Sequence, residues 1–330
     1  MITQNLNNIC YQLGQDIFYT QAAGGNVSIK EENSMLIKAS GKWLSEAINE
    51  NIFTEVKLDI VFDAISKIDL SALNYSDSKT LKPSIETVVH AVIPYKIVVH
   101  IHHINSIVHL IHKECETLLN SKLKKYSFPY KIVRYVKPGL PLAKEIQLIL
   151  KDYPKTKVFM LKNHGVFFSA NSLEEVVSQI NELNELLVLE SSLRTINIIQ
   201  KQLLFQNLKN REFNLFPESI VQSMVHQKNS KKLLEFIWPV YPDHLVFLGS
   251  NPNFITKKNI LNPSQLKLDD GIYFVENYGV FYKGNISKSQ KQYLICFAHI
   301  FHRIIDHKKV STLNSAEVDE IVNWESEKYR

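Results

Sequence analysis

Residues 98–106 read VVHIHHINS, and five histidines fall between His100 and His112. The residues leading in, KIVV, carry β-branched side chains and lack helical spacing, which predicts a strand. In a strand, residues two apart share a face, so His100 and His102 project together; on a helix they would diverge by roughly 200°. His-x-His on a strand is a two-toothed metal grip, although paired histidines also occur on hydrated strand faces. A third ligand and a base decide between those readings.

Both have candidates nearby in the chain. Upstream, KPSIETVVHAVIP (82–94) places Pro83 before a helix start, with Ser84 as its N-cap and open N–H groups that can hold an anion. Glu86 falls in the first turn and His90 follows four residues later on the same face. As structure alone, Glu86 complements the helix dipole; as chemistry, it is a carboxylate delivered beside the histidine strand. Downstream, the strand KVFMLK ends at His164, and Gly165 permits a sharp turn. A lone histidine before glycine would mean little, and the combination carries the weight.

The rest of the chain sets limits. Its 330 residues fit roughly two domains of about 150 each. An apolar fraction of 45% with 22% charged residues belongs to a protein with a real core. The net charge of +5, from 38 basic and 33 acidic residues, suits an anionic small molecule. No zinc-finger spacing, RNA-binding aromatic motif or basic helix points to nucleic acid. Cys10, Cys115 and Cys296 are far apart, so a disulfide framework is not expected and a reducing cytoplasm is. The N-terminus lacks a signal-peptide pattern, and histidines break the longest apolar run, so no membrane span is expected.

Coarse patterning predicts a helix over residues 1 to about 20, then a glycine loop, QAAGGNVSIK. A hairpin follows through NVSIK and SMLIKAS, then a short helix at KWLSEAINE and strand-like TEVKLDIVF. After the histidine strand come a helix over about 105–120, helix LAKEIQLILKD, strands KVFMLK and VFFSA, and a long helix over 172–200 opened by Ser172 three residues before Glu175. The irregular change of element type suits a layered α/β domain with a mixed sheet better than a doubly wound one. A polar stretch near 207–232 marks a junction, giving domains 1–206 and 207–330.

The second domain reads as a degenerate repeat. VFMLKNHGVFFSAN (158–171) aligns with IYFVENYGVFYKGN (272–285), with Asn163, Gly165, Val166, Phe167 and Asn171 matched by Asn277, Gly279, Val280, Phe281 and Asn285. More faintly, PYKIVVHIHHIN (94–105) aligns with PDHLVFLGSNPN (242–253), which sets Leu248 opposite His100 and Ser250 opposite His102. Convergent strand–turn–strand patterning is the plainer alternative.

Taken in order, G-G-N-V-S, A-S-G, P-S-x-E, H-x-H and N-H-G resemble the class II aldolase/adducin family over residues 20 to about 180. YVKPGLPLA, the PDH of PDHLVFLG and the ending AEVDEIVNWESEKYR resemble the aldolase half of bifunctional rhamnulose-1-phosphate aldolase/alcohol dehydrogenases. The chain offers no GxGxxG loop, so a dehydrogenase half is not expected in it. The resemblance implies a three-layer α/β/α catalytic domain with a mixed, mostly antiparallel sheet, plus the smaller α/β repeat unit.

It also implies roles. His100, His102 and His164 would ligate zinc and Glu86 would be the acid/base. Gly25, Asn26, Ser40, Gly41 and Ser84 would cradle a substrate phosphate, with Lys38 and Lys82 as further charges. Three neutral imidazoles leave Zn²⁺ its full charge and an open position, as a catalytic site requires. The sequence departs from the family pattern at Ile85, where a second serine would stand. His103, His109 and His112 match no ligand position and are assigned no catalytic role, and the latter two are expected at the surface or behind the site. Family aldolases use a tyrosine donor; Tyr126, Tyr130 and Tyr135 lie in the right region without matching it. The expected function is a zinc-dependent aldolase-type lyase acting on a small ketose, a ketose phosphate, as a homo-oligomer, through a metal-stabilised enediolate. A sugar-phosphate dehydratase shares that start, a 4-epimerase is disfavoured because its branch has aspartate at position 86, and an adducin-like interaction module is the alternative from another class.

Overall fold

In the computed structural model of the protein, which describes residues 2–69, 81–192, 213–256, 258 and 268–323, the histidine segment forms a strand over Ile97–Ile101. The chain divides into two compact units, one running to residue 188 and the other from 189 to 323. The expected junction is covered in part only, because residues 193–212 lie outside the described set.

The first unit is built on seven strands: β1 Asn26–Glu31, β2 Ser34–Lys38, β3 Phe53–Lys57, β4 Ile97–Ile101, β5 Tyr130–Val133, β6 Val158–Leu161 and β7 Val166–Ala170. Their order is β3-β2-β1-β4-β7-β6-β5, and every pairing is antiparallel except β5 with β6. This is the mixed, mostly antiparallel sheet that was expected. The strand β4 is central and buried throughout. Strand periodicity sends Ile97, Val99 and Ile101 to one face and Val98 and His100 to the other.

Each face has its own core. On the first, Ile97, Val99 and Ile101 pack with residues of α1 (Ile2–Gln15), α4 (Ile104–Leu110), α5 (Cys115–Lys122) and α7 (Leu173–Leu187). On the second, Val98 and Phe167 pack with α2 (Leu58–Lys67), α3 (Thr87–Val92) and α6 (Leu140–Asp152). The result is three layers, and α3 lies over the face from which His100 projects.

Three sequence expectations need correction here. LDIVF is the start of α2: Val61, Ala64 and Ile65 are buried at helical spacing, and tertiary packing overrides β propensity. The helix expected over 105–120 is broken between α4 and α5, where His112 Nδ1 accepts the Glu114 N–H at 3.0 Å and opens the second helix. Ser84 does accept the Glu86 N–H, at 3.3 Å, but the α-helix proper begins later, at Thr87. The serine cap of α7 is as read, with the Glu175 N–H donated to Ser172 Oγ at 3.2 Å.

The second unit has a three-stranded antiparallel sheet, β8 Phe213–Leu215, β10 Gly279–Lys283 and β9 Gly271–Val275 in that order. Helices α8 Ser219–Ser223, α9 Ser230–Ile237, α10 Pro242–Leu248, α11 Lys288–Phe301 and α12 Ser315–Val322 accompany it. The hairpin half of the repeat is visible in the backbone. Val158↔Phe168, Phe159↔Phe167 and Met160↔Val166 in one hairpin correspond to Ile272↔Tyr282, Tyr273↔Phe281 and Phe274↔Val280 in the other. Both turns hold an asparagine in the left-handed region, Asn163 at φ 54° and Asn277 at φ 63°, a conformation asparagine tolerates. Each hairpin leads to a serine-capped helix, at Ser172 and Ser287.

The fainter half of the repeat fails. Residues 242–248 are a helix, not a strand, because Pro242 occupies its first turn after extended Tyr241 and Gly249, at φ 82°, ends it. Leu248 and Ser250 are therefore not counterparts of His100 and His102. Among the described residues no helix is long and apolar enough to cross a membrane.

Several histidines are core residues. His244 is packed between Trp238 and Phe297, with ring centroids 4.3 and 4.4 Å away, and burial pushes its pKa down to about 3. Burial likewise lowers His109 and His302 to about 4. A depressed folded-state pKa means the unfolded chain takes up protons first as the pH falls. The stability held by neutral imidazoles is thus complete above about pH 6.5 and drains away toward pH 4. His244→Phe should accordingly gain on the wild type by about 1.4 kcal/mol per pH unit below pH 6 in denaturant unfolding. A constant difference from pH 7 to 4.5 would refute this account.

Candidate functional site

Strand register assembles the site. The β1–β4 ladder sets Asn26 opposite His100, and the β4–β7 ladder sets His100 opposite Phe167 and Ile101 opposite Val166. The His100 ring stacks on Phe167 with centroids 4.2 Å apart. Its Nδ1 lies 3.2 Å from the Val166 carbonyl, which can only accept, so Nδ1 carries the proton and Nε2 presents its lone pair. His102 is the first residue beyond β4 to share that side, and Gln21 Nε2 donates to its carbonyl at 3.2 Å. The turn between β6 and β7 brings in His164. Ring centroids are 5.0 Å apart for His100 and His102, 4.8 Å for His100 and His164, and 5.3 Å for His102 and His164.

All three rings are buried, and one nitrogen from each lies within 4.8 Å of the others. They form the metal-competent cluster found among the described residues. The Nε2 atoms of His100 and His102 are 3.1 Å apart. Two zinc–nitrogen bonds of about 2.05 Å at a tetrahedral angle put their nitrogens about 3.3 Å apart. The donor set and the spacing both fit a divalent cation. Gly165 makes this approach possible: a Cβ there would lie 2.5 Å from the Ile101 carbonyl oxygen and 3.1 Å from ring carbons of both His100 and His102.

Glu86 meets the cluster from the start of α3. It is 3% exposed, and its Oε1 lies 3.3 Å from His100 Nε2. One turn on, His90 Nδ1 pairs with Ser28 Oγ at 2.8 Å and its ring edge meets Phe167. Burial, with the neighbouring His100 adding to it, holds His90 well below the usual imidazole range and so neutral. Ile85 packs against Gly139: its Cγ1 lies 3.0 Å from where a Cβ on that glycine would stand.

A small pocket adjoins Glu86 and His102, lined also by Ala23, Gly25, Asn26, Lys38, Ser40, Gly41 and Ser84. The five residues expected to cradle an anion are thus brought together beside the carboxylate and one histidine. Gly25 and Gly41 adopt φ 74° and 76°, and a Cβ on Gly25 would strike Thr20 at 2.8 Å. Lys82 is exposed, whereas Lys38 is buried. Both were expected as further charges for the cradle, and Lys38 is the one that lines the pocket; alternation sets it with half-buried Leu36, opposite Met35 and Ile37, so its burial had no local signal.

The other histidines are structural. His103 pairs with Ser106 Oγ at 2.8 Å and Asn184 Oδ1 at 3.0 Å. His109 is buried rather than at the surface, within 3.3 Å of the Leu187 carbonyl, because α7 covers it. The Tyr126 hydroxyl donates to the Gln179 carbonyl at 3.1 Å and Tyr130 to Asn120 Oδ1 at 3.0 Å, so both are engaged elsewhere. In the second unit, Tyr278 occupies the turn position that His164 holds in the first.

The sequence model of the family described as "Class II Aldolase and Adducin N-terminal domain" matches residues 4–190. The chain is 26% identical over 245 residues to the "Uncharacterized oxidoreductase YuxG" of Bacillus subtilis (strain 168), a match covering 69% of this chain and 33% of that protein. It thus spans about a third of the length of that relative. Among solved structures, the N-terminal class II aldolase domain of a conserved protein from Thermoplasma acidophilum aligns with TM-score 0.45 and 23% identity, over 55% of this chain and 89% of that one. YgbL, a putative aldolase/epimerase/decarboxylase from Klebsiella pneumoniae, aligns with TM-score 0.41 and 22% identity, over 64% and 93%. A sugar-phosphate aldolase from Thermotoga maritima aligns with TM-score 0.43 and 15% identity, over 64% and 96%.

The packing of Gly165 yields a test free of any assumption about the reaction. Gly165→Ala forces the Ile101 carbonyl or the two imidazoles to move, so affinity for zinc or cobalt should fall at least tenfold while the far-UV spectrum is kept. Unchanged affinity in a metal titration would show that the rings do not form the cation site in this arrangement.

Proposed function

Because the chain belongs to the class II aldolase and adducin N-terminal domain family, we propose that it is a zinc-dependent aldolase-type lyase that cleaves or forms a carbon–carbon bond of a small ketose phosphate. The observation that carries this reading is the placing of the Glu86 carboxylate 3.3 Å from His100, within a three-histidine cluster and on the wall of a polar pocket. An adducin-like interaction role would have no use for buried imidazoles converging on one point beside a carboxylate.

His100, His102 and His164 would hold the cation, which when bound supplies Lewis-acid stabilisation of negative charge on a substrate oxygen. The chain's own residues do the rest. Gly25, Asn26, Ser40, Gly41 and Ser84 hold the anionic end, as backbone N–H groups in tight turns do. That end fixes the ketose so that the carbon beside its carbonyl faces Glu86. In cleavage, the Glu86 carboxylate takes the proton of the hydroxyl on the carbon that becomes the aldehyde; the bond between the two carbons breaks with its electron pair left on the carbon beside the carbonyl, and Glu86 returns the proton there. In synthesis the same carboxylate removes it. The burial of Glu86 excludes water that would otherwise compete for the proton.

Two measurements test this. Zinc should bind at about one ion per chain, and His100→Ala or His164→Ala should abolish most of it; elemental analysis showing no uptake by the wild type would end the metal reading. Glu86→Gln preserves shape, so it should keep its zinc while turnover falls by roughly 10²–10⁴. Assays against a panel of ketose phosphates that show loss of water instead of aldehyde release would move the reaction from lyase on carbon–carbon bonds to dehydratase.

A further inference from the structure

The three imidazoles of the cluster are not held alike. His100 sits in two ladders, opposite Asn26 of β1 and Phe167 of β7. His164 is fixed by its own hairpin, where its N–H donates to the Leu161 carbonyl and the Leu161 N–H to the Gly165 carbonyl. His102 lies past the last residue pair of both ladders, Asn26↔His100 and Ile101↔Val166. The regular pairing that places His100 therefore ends before it, although a metal site needs its ligand distances right to within about 0.2 Å.

At this point the segment 16–21, just after α1, meets the end of β4. Gln21 is fully buried, and its Nε2 donates to the His102 carbonyl at 3.2 Å and to the Ile17 carbonyl at 2.7 Å. Both partners can only accept, so the amide nitrogen faces them, and its oxygen is left buried without a partner among the described residues. The same segment touches the next two residues. Tyr19 stacks on the His103 ring with centroids 5.4 Å apart, and the Phe18 carbonyl accepts the Ile104 N–H at 2.9 Å. The segment is itself anchored: Thr20 Oγ1 donates to the Leu13 carbonyl at 2.9 Å, and the Asp16 carbonyl accepts the N–H groups of Tyr19 and Thr20. The Gln21 bond is made to the ligand residue itself, whereas the Tyr19 and Phe18 contacts act on the start of α4. A bond to the His102 carbonyl fixes the peptide plane that follows this residue, and with it the backbone from which the ring is aimed.

We infer that Gln21 is a positioning residue for the cation site: its buried amide ties the backbone of His102 to the segment after α1 and so sets the aim of that imidazole. This rests on the reading of His100, His102 and His164 as metal ligands. The test is a cobalt titration of the full chain, following the visible absorption of the bound ion, with zinc displacing it to give both affinities. Gln21→Met keeps the volume and loses both donors. Gln21→Asn, one methylene too short to span both carbonyls, keeps an amide should Met not fold. Thr20→Val removes the Leu13 bond of the same segment, and Gln21→Met is also placed on His102→Ala.

Affinity should fall at least tenfold in both Gln21 variants, with a changed visible band, while Thr20→Val stays within about twofold of the wild type even where its unfolding midpoint drops. On His102→Ala, which keeps weak cobalt binding through His100 and His164, Gln21→Met should change nothing further. Wild-type affinity and spectrum in the Gln21 variants overturn the positioning role and leave the metal reading intact. An equal loss with and without the His102 imidazole also overturns it, because Gln21 would then act on the fold at large. A wild type that binds neither cobalt nor zinc overturns the metal reading, and this inference with it.

Discussion

A single hydrogen bond across the β4–β7 ladder, from His100 Nδ1 to the Val166 carbonyl, sets the terms for the site. It fixes the ring plane and the tautomer, and so decides that Nε2 is the atom facing His102 and Glu86. The ladder that provides the acceptor also pairs Ile101 with Val166, which draws the β6–β7 turn and His164 up to the same point. Only glycine at position 165 leaves room for the rings between that turn and the end of β4. The site is thus a property of three adjacent strands and one turn, with α3 supplying the carboxylate from the layer above.

Burial does electrostatic work as well. An imidazole that is to accept a cation must be unprotonated, and the low-dielectric interior disfavours the imidazolium. His90, beneath His100, is held neutral by the same cause, so it adds no charge that would repel an incoming cation. In the pocket that Glu86 also lines, the chain buries Lys38, whose Nζ donates to the carbonyls of Ala23 and Lys42.

Much of this could be read from the residues, because short-range rules governed it. The β-branched run before His100, the proline and serine before Glu86, and the glycine after His164 each act within a few positions. What could not be read depended on contacts distant in the chain. KLDIVF carries strand-like residues, yet Val61, Ala64 and Ile65 turn it into α2 because α3 packs against them. PDHLVFLG patterned like a strand, but Pro242 and Gly249 bound a seven-residue helix, about two turns and too short to tell period 2 from period 3.6. His109 gave no local sign that α7 would bury it, and Lys38 gave none either, since alternation sets it with half-buried Leu36, opposite Met35 and Ile37.

The two matching hairpins show where such a protein can change its chemistry cheaply. In both, the path of the chain is determined by an asparagine in the left-handed region, a glycine two residues later and the same pairing of flanking strands. The residue between asparagine and glycine joins the turn through its backbone, its N–H donating to the Leu161 carbonyl in one hairpin and to the Val275 carbonyl in the other, whatever side chain it carries. It is histidine in one hairpin and tyrosine in the other. A backbone that specifies its neighbours so firmly leaves this one position as an open socket, into which a metal ligand can be fitted, or from which it can be withdrawn, without the hairpin having to be rebuilt.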